Sequence, residues 1–388
     1  MKKVIFGLFV FNCCYMAAAG FVLPILPLYV LEFGVDIVAI GPLWTAMSLI
    51  SFVMAPLWGS ISDKYGKRLF HIIAGTLISS LICVLYALAT NLQQMIVLMI
   101  LWAALGSSQA FPIFMTIVSE LSGIEERGRV MGFFWMGGSV GWALSVSLSG
   151  QIIENLGIQK YFFVPALLYL LSAFVSKIII DKRPEKVSRR DVDFIEAIKD
   201  FKWCSLTFIV FWLATICFFI SDSVKISYVL VFFERELGLD HALATLLLAL
   251  TTWVEIPILP FFGSLSDKFG RKPLILLGLL SASLFNASIS ILQNSTQAVL
   301  IVPLSGISWA AFASAGSAFI GDLVEEKNRA KAMSLYNSSG SIANVIAPSL
   351  MSIVILKTSF RAAFQFIALI LFAGFLLILI GLRRRELR

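Results

Sequence analysis

Three ionisable residues lie inside long apolar runs rather than at their ends: Asp222 and Lys225 in one run, Glu255 in the next. Even lenient insertion scales charge roughly 2.5–3.5 kcal/mol for an Asp or Lys at the centre of a membrane helix, so such residues seldom face lipid. Asp222 and Lys225 are three apart, on one helical face and within pairing reach, with Ser221 and Ser223 beside the acid. At a rise of about 1.5 Å per residue, Asp222 lies about 15 Å and Glu255 about 21 Å from the outer ends of their runs. Either a Lys225 bridge or a shared water-filled space is open to them. The chemistry on offer is proton carriage or the binding of a cation. Lys225 favours an ionised Asp222, which leaves Glu255 the better proton carrier. The opposing reading is a structural ion pair that locks one helix to the next.

Neutral polar and aromatic residues in other apolar runs are candidates to complete a pocket: Asn12, Tyr15, Trp44, Trp102, Gln109, Trp142, Trp309, Asn337 and Asn344. Rings give broad apolar contact and hold a cation over their faces. Trp44 is the weakest, because it falls near the outer end of its run and suits an interfacial anchor. For each of them ordinary helix packing is the alternative. Pro24, Pro27, Pro257 and Pro260 are expected to bend their helices. His71 and His241 stand at run ends, and the five Cys have no metal-ligand spacing; no metal or cofactor is expected.

The elements that position these groups follow from composition. Of 388 residues 59% are apolar and only 14% charged, against about 25% charged in soluble domains. A wetted surface cannot be built from so few charges, so the chain is an all-α membrane protein. Twelve runs reach the roughly 20 residues needed to cross a bilayer: about 5–29, 39–60, 70–90, 94–117, 130–151, 161–180, 206–232, 241–262, 273–291, 297–319, 332–355 and 361–381. The net charge of +7 does not point to nucleic acid, because the basic residues form short clusters between the runs. With the N-terminus inside, 24 of the 30 Lys and Arg fall in inner segments and four in outer ones. Both termini are therefore expected in the cytoplasm of a cell with the chain in its plasma membrane.

The polar stretch 181–205 separates six runs, 1–180, from six more, 206–388. Its 193–202 portion reads either as an amphipathic helix on the inner leaflet or as a charged tether. GSISDKYGKRL at 59–69 recurs as GSLSDKFGRKP at 263–273, an offset of 204, each between the second and third runs of its half. GIEERGRVMG at 123–132 has a weaker echo at 323–334. Two parallel halves related by an axis along the membrane normal are implied. In this loop Gly59 suits a close approach to a neighbour, Gly66 a tight turn, and Asp63 a helix N-terminus or an arginine. No Gly-x-x-x-x-Gly-Lys-Ser/Thr phosphate loop is present, so ATP hydrolysis is not expected.

The repeated loop resembles the signature G-x-L-x-D-x-x-G-R-R/K of the major facilitator superfamily of secondary transporters. It matches at Gly59, Ile61, Asp63, Gly66, Lys67 and Arg68, and again at Gly263, Leu265, Asp267, Gly270, Arg271 and Lys272. The resemblance implies twelve helices in two pseudo-symmetric halves, with spans one, two, four, five, seven, eight, ten and eleven lining a central cavity. It also implies that the loops latch the halves, with Glu120, Arg127 and Arg129 as their partners. The chain is similar to the twelve-span drug-efflux branch, with two departures. Trp102 stands four residues before Gly106 where the proton-coupled exporters carry arginine. In GGSVGWALS, Gly137 and Gly141 of the antiporter motif are present, but Trp142 and Ser145 replace its proline and later glycine.

The expected function is alternating-access transport, namely proton-coupled efflux of small organic or drug-like compounds, with amphipathic cations favoured over anions. Alternatives are a sugar or metabolite transporter working by symport, export or facilitated diffusion, and a non-transporting receptor or scaffold. The expected partners are the lipid bilayer, a small-molecule substrate and protons; a monomer is expected, and an enzyme is not, for want of a nucleophile or metal set.

Overall fold

The computed structural model describes residues 2–121, 127–179, 205–324 and 328–381. All regular structure among them is helical. Among the described residues eleven helical segments are long and apolar enough to cross a membrane: Phe6–Leu31, Ile37–Tyr65, Arg68–Leu88, Leu92–Val118, Ile158–Lys177, Leu206–Arg235, His241–Phe269, Arg271–Ile289, Ser295–Leu323, Lys331–Lys357 and Phe360–Gly381. Helix Arg127–Leu156, with 30 residues, has ample length and takes the fifth place in the order. It carries the apolar run 130–151.

The described residues fall into two compact units, one drawn from Met1–Ser188 and Gly238–Ala249, the other from Arg189–Leu237 and Leu250–Arg388. In the first unit the first and fifth helices meet along small residues. A side chain at Gly137 would stand 2.7 Å from the Phe9 carbonyl, and one at Gly141 would run into the Cys13 carbonyl. Close packing of this kind holds membrane helices together where no hydrophobic difference from lipid exists to do so. In the same unit Gly150 admits the His241 backbone and donates to Thr245 Oγ1 at 3.1 Å.

The two units reuse the same local devices. Asn91 caps the fourth span by accepting from the Gln94 backbone at 2.9 Å, and Asn294 caps the tenth by accepting from Gln297 at 3.0 Å. The glutamines close the loop in return, from Thr90 and Gln293. Gly75 on the third span lies against Gly106 and Ala110 of the fourth; Gly278 on the ninth lies against Ser308 and Phe312 of the tenth. Leu77, Leu81, Leu85 and Leu88 on the third span, and Leu369, Phe372, Leu376 and Ile380 on the twelfth, are exposed, as a lipid-facing surface demands.

Several spans depart from regular α-helix. The first is interrupted by a turn at residues 23–25, with Pro27 in the first turn of the segment that follows. Trp102–Ser107 in the fourth and Lys225–Val229 in the seventh are π-helical turns. Carbonyls in the first of these find outside donors: Trp58 Nε1 donates to Ala104 at 2.7 Å and Ser51 Oγ to Ala103 at 3.3 Å. Beside the second, the Tyr228 hydroxyl donates to the Pro348 carbonyl at 3.1 Å.

Candidate functional site

Asp222 and Lys225 pair as their spacing predicts, with Lys225 Nζ 2.6 Å from Asp222 Oδ1. Their side chains are 21% and 16% exposed, so the pair is accessible rather than sealed in the core. Lys225 opens the π-helical turn, a local unwinding often found at functional sites. Its ammonium also lies 5.6 Å from the centroid of the Trp309 ring, over one face. Phe218 stacks on Phe312 at 3.9 Å and reaches the Trp309 ring at 5.9 Å.

These groups surround a small recess lined by Phe218, Ser221, Asp222, Lys225, Ser305, Ser308 and Trp309. Its volume is about 10 Å³, room for roughly one water molecule. One wall is aromatic, and the other carries a carboxylate, an ammonium and three hydroxyls. A carboxylate facing an indole offers the two kinds of surface that attract an organic cation.

Glu255 is on the eighth span and only 8% exposed, outside this lining. The tenth span approaches it closely at Gly306, where an added side chain would meet Thr251 and the Glu255 backbone.

The other candidates scatter. Asn12 is buried and donates to the Phe134 carbonyl at 2.8 Å, which makes it a helix-to-helix tie. Tyr15 stacks on Phe11 and Phe111 and meets Tyr169 edge-on. Gln109 bonds His71 at 2.7 Å, joining the fourth span to the third. Trp102 is buried in the π turn, its indole directed toward the Tyr169 hydroxyl. Trp142 packs against Gly20. Trp44 is buried, so it is not the ring at the lipid interface that its position suggests. Asn337 and Asn344 are exposed, seven residues apart on one face of the eleventh span.

In the signature loops Arg68 pairs with Asp63 at 2.7 Å, and Arg271 pairs with Asp267 and, at 3.2 Å, with Asp322 of the tenth span. Lys272 donates to the Leu379 carbonyl. Lys67 precedes the third span, and Gly66 adopts φ +62°, the left-handed conformation that ends a helix. Gly270 also has positive φ. Gly59 and Gly263 correct one expectation: a side chain at either would meet nothing within 4 Å, so close approach does not account for them here. The side chains of Glu120, Arg127 and Arg129, and the segment 193–202, lie outside the described residues.

Phe218, Ser305, Ser308 and Asn286 were not singled out from sequence. Asn286 donates from Nδ2 to Ser221 Oγ at 2.7 Å. Its signal was available, as the lone amide of the ninth apolar run.

An all-helical chain of membrane-spanning segments, with charge and aromatic surface gathered at mid-span, defines a polytopic membrane transporter. The family model described as Major Facilitator Superfamily matches residues 8–220 and 211–388, and the chain belongs to that family. It acts on small molecules across a lipid bilayer and is not an enzyme. It is 24% identical over 371 residues to Multidrug resistance protein MdtG of Proteus mirabilis, covering 92% of this chain and 91% of the relative. To the protein of the same name from Escherichia coli O9:H4 it is 24% identical over 364 residues, covering 90% and 88%. Its fold is similar to a bacterial homologue of the human lysosomal transporter Spinster, with a TM-score of 0.80, 15% identity and coverage of 100% and 98%. The nucleoside transporter NupG gives a TM-score of 0.82 at 12% identity, covering 98% of this chain and 100% of the other.

Proposed function

We propose that the chain exports amphipathic organic cations in exchange for protons, by alternating access of its halves 1–180 and 206–388. One observation carries the reading: Lys225, a cation built into the chain, is held by Asp222 and the face of Trp309 as a substrate cation would be. The recess holds about one water molecule in this conformation, so it widens as the substrate displaces this tethered ammonium. Glu255, nearly buried and one span away, takes the coupling proton. The likeness to multidrug resistance proteins supports efflux as the direction. The distribution of Lys and Arg supports cytoplasmic termini in the plasma membrane.

The signature residues Gly59, Asp63, Gly66, Lys67 and Arg68, with Gly263, Asp267, Gly270, Arg271 and Lys272, act as latches in this cycle. A second reading, transport of a sugar or similar neutral metabolite, draws on the exposed amides Asn337 and Asn344, which offer donors and acceptors without charge. Proteoliposomes separate the two. Under an imposed pH gradient, accumulation of ethidium that a protonophore abolishes supports cation–proton exchange. Sugar flux indifferent to the gradient, with no ethidium movement, would replace it.

A further inference from the structure

The ninth span contributes no lining to the Asp222 recess, yet it governs two of the hydroxyls that do. Asn286 is 1% exposed and donates from Nδ2 to two acceptors, Ser221 Oγ at 2.7 Å and the Ala282 carbonyl at 2.9 Å. The Ala282 carbonyl only accepts, so the amide cannot be turned over: its oxygen would then face another oxygen. The Nδ2 edge therefore faces Ser221, and Ser221 must accept from it. Asn286 is the one hydrogen-bond partner of the Ser221 hydroxyl among the described residues. A hydroxyl has one hydrogen, and that of Ser221 is left for the recess. Ser308 is set the opposite way. Its hydrogen goes to the Gly278 carbonyl of the ninth span at 2.9 Å, so only its lone pairs face inward.

From this polarity we infer that Asn286 is a positioning residue: it holds Ser221 as a hydrogen-bond donor into the recess and so selects organic cations that also carry a carbonyl or ether oxygen. The inference rests on the cation-binding reading of Asp222 and Trp309. It adds a substrate class, because Asp222 and Trp309 alone do not distinguish one lipophilic cation from another. It also gives a role to a buried amide that helix packing leaves half satisfied, since Asn286 Oδ1 has no partner.

The test is equilibrium binding of two probes to the purified full-length protein. Rhodamine 6G is a cation with an ester carbonyl and a ring ether; tetraphenylphosphonium is a cation with no acceptor. Asn286→Leu is expected to weaken rhodamine 6G about tenfold, the size of one hydrogen bond, and to leave tetraphenylphosphonium within about twofold. Ser221→Ala is expected to weaken rhodamine 6G by a similar factor, and the double variant to lose no more than either single one. Asn286→Ala replaces Asn286→Leu if the latter does not fold. Equal loss of both probes, or losses that multiply in the double variant, would overturn the inference. Asp222→Asn separates the two levels. If it leaves tetraphenylphosphonium binding intact, the cation reading fails and this inference with it. If it abolishes both probes while Asn286→Leu does not discriminate, the inference alone fails.

Discussion

A lysine three residues after an aspartate neutralises it at short range, but Lys225 also spends its charge on the Trp309 ring. Carboxylate and indole are thus both occupied by the protein's own ammonium. If a substrate cation must displace it, Lys225→Met is expected to lower the KM for tetraphenylphosphonium transport by roughly tenfold, since one competing interaction of about 1.4 kcal/mol is gone. A raised KM would instead make Lys225 part of the binding surface. Exposed to desolvated cation–ring contacts are worth about 0.5–2 kcal/mol, so Trp309→Ala is expected to weaken the same probe by about two- to thirtyfold, with Trp309→Phe keeping most of the binding. Equal loss in both variants would mean that size, not the ring's charge distribution, matters at this position. Asp222, Lys225 and Trp309 were readable in sequence because each is conspicuous in an apolar run. Ser305, Ser308 and Phe218 were not, since serine and phenylalanine fill packed membrane helices everywhere. Asn12 and Gln109 show the converse. In sequence they look like pocket amides, but their partners are the Phe134 carbonyl and His71. A polar side chain in an apolar run announces that it avoids lipid; it does not announce which neighbour it meets.

Helix ends and helix contacts carry their own tests. Asn91 and Asn294 each satisfy a first-turn backbone donor, a contribution of about 1 kcal/mol when replaced by Ala. Either substitution is expected to lower the unfolding temperature of the detergent-solubilised protein, and an unchanged transition would show that the caps contribute nothing. Gly141→Ala and Gly59→Ala make a sharper pair. The first drives a methyl group into the Cys13 carbonyl and is expected to cut the yield of folded protein; the second enters open space and is expected to leave it unchanged. Identical yields would contradict the packing of the first helix on the fifth. The small-residue run at 137–141 suits a close helix contact but does not say which helix it meets. The π turns at Trp102–Ser107 and Lys225–Val229 were not, because an i to i+5 bond has no residue signature and depends on donors such as Trp58 arriving from another helix.

Across the whole chain one plan is used twice. Beside the signature loops at an offset of 204, Asn91 and Asn294 and also Gly75 and Gly278 recur at an offset of 203. They place matching caps and matching close contacts in both units. The membrane class and the helix order were readable because a bilayer demands long apolar runs, and the run at 130–151 marks the fifth helix as clearly as its neighbours. The repeats announce kinship with a transporter family, yet the cargo depends on a handful of side chains around one recess. The most direct measurement is cation-induced proton release from the purified protein in weakly buffered detergent, comparing wild type with Glu255→Gln. Wild type is expected to release about one proton for each tetraphenylphosphonium bound, as exchange on a single carboxyl requires, and Glu255→Gln to bind the cation while releasing none. Release that persists undiminished in Glu255→Gln, or binding by wild type with no release at all, would contradict proton exchange through Glu255.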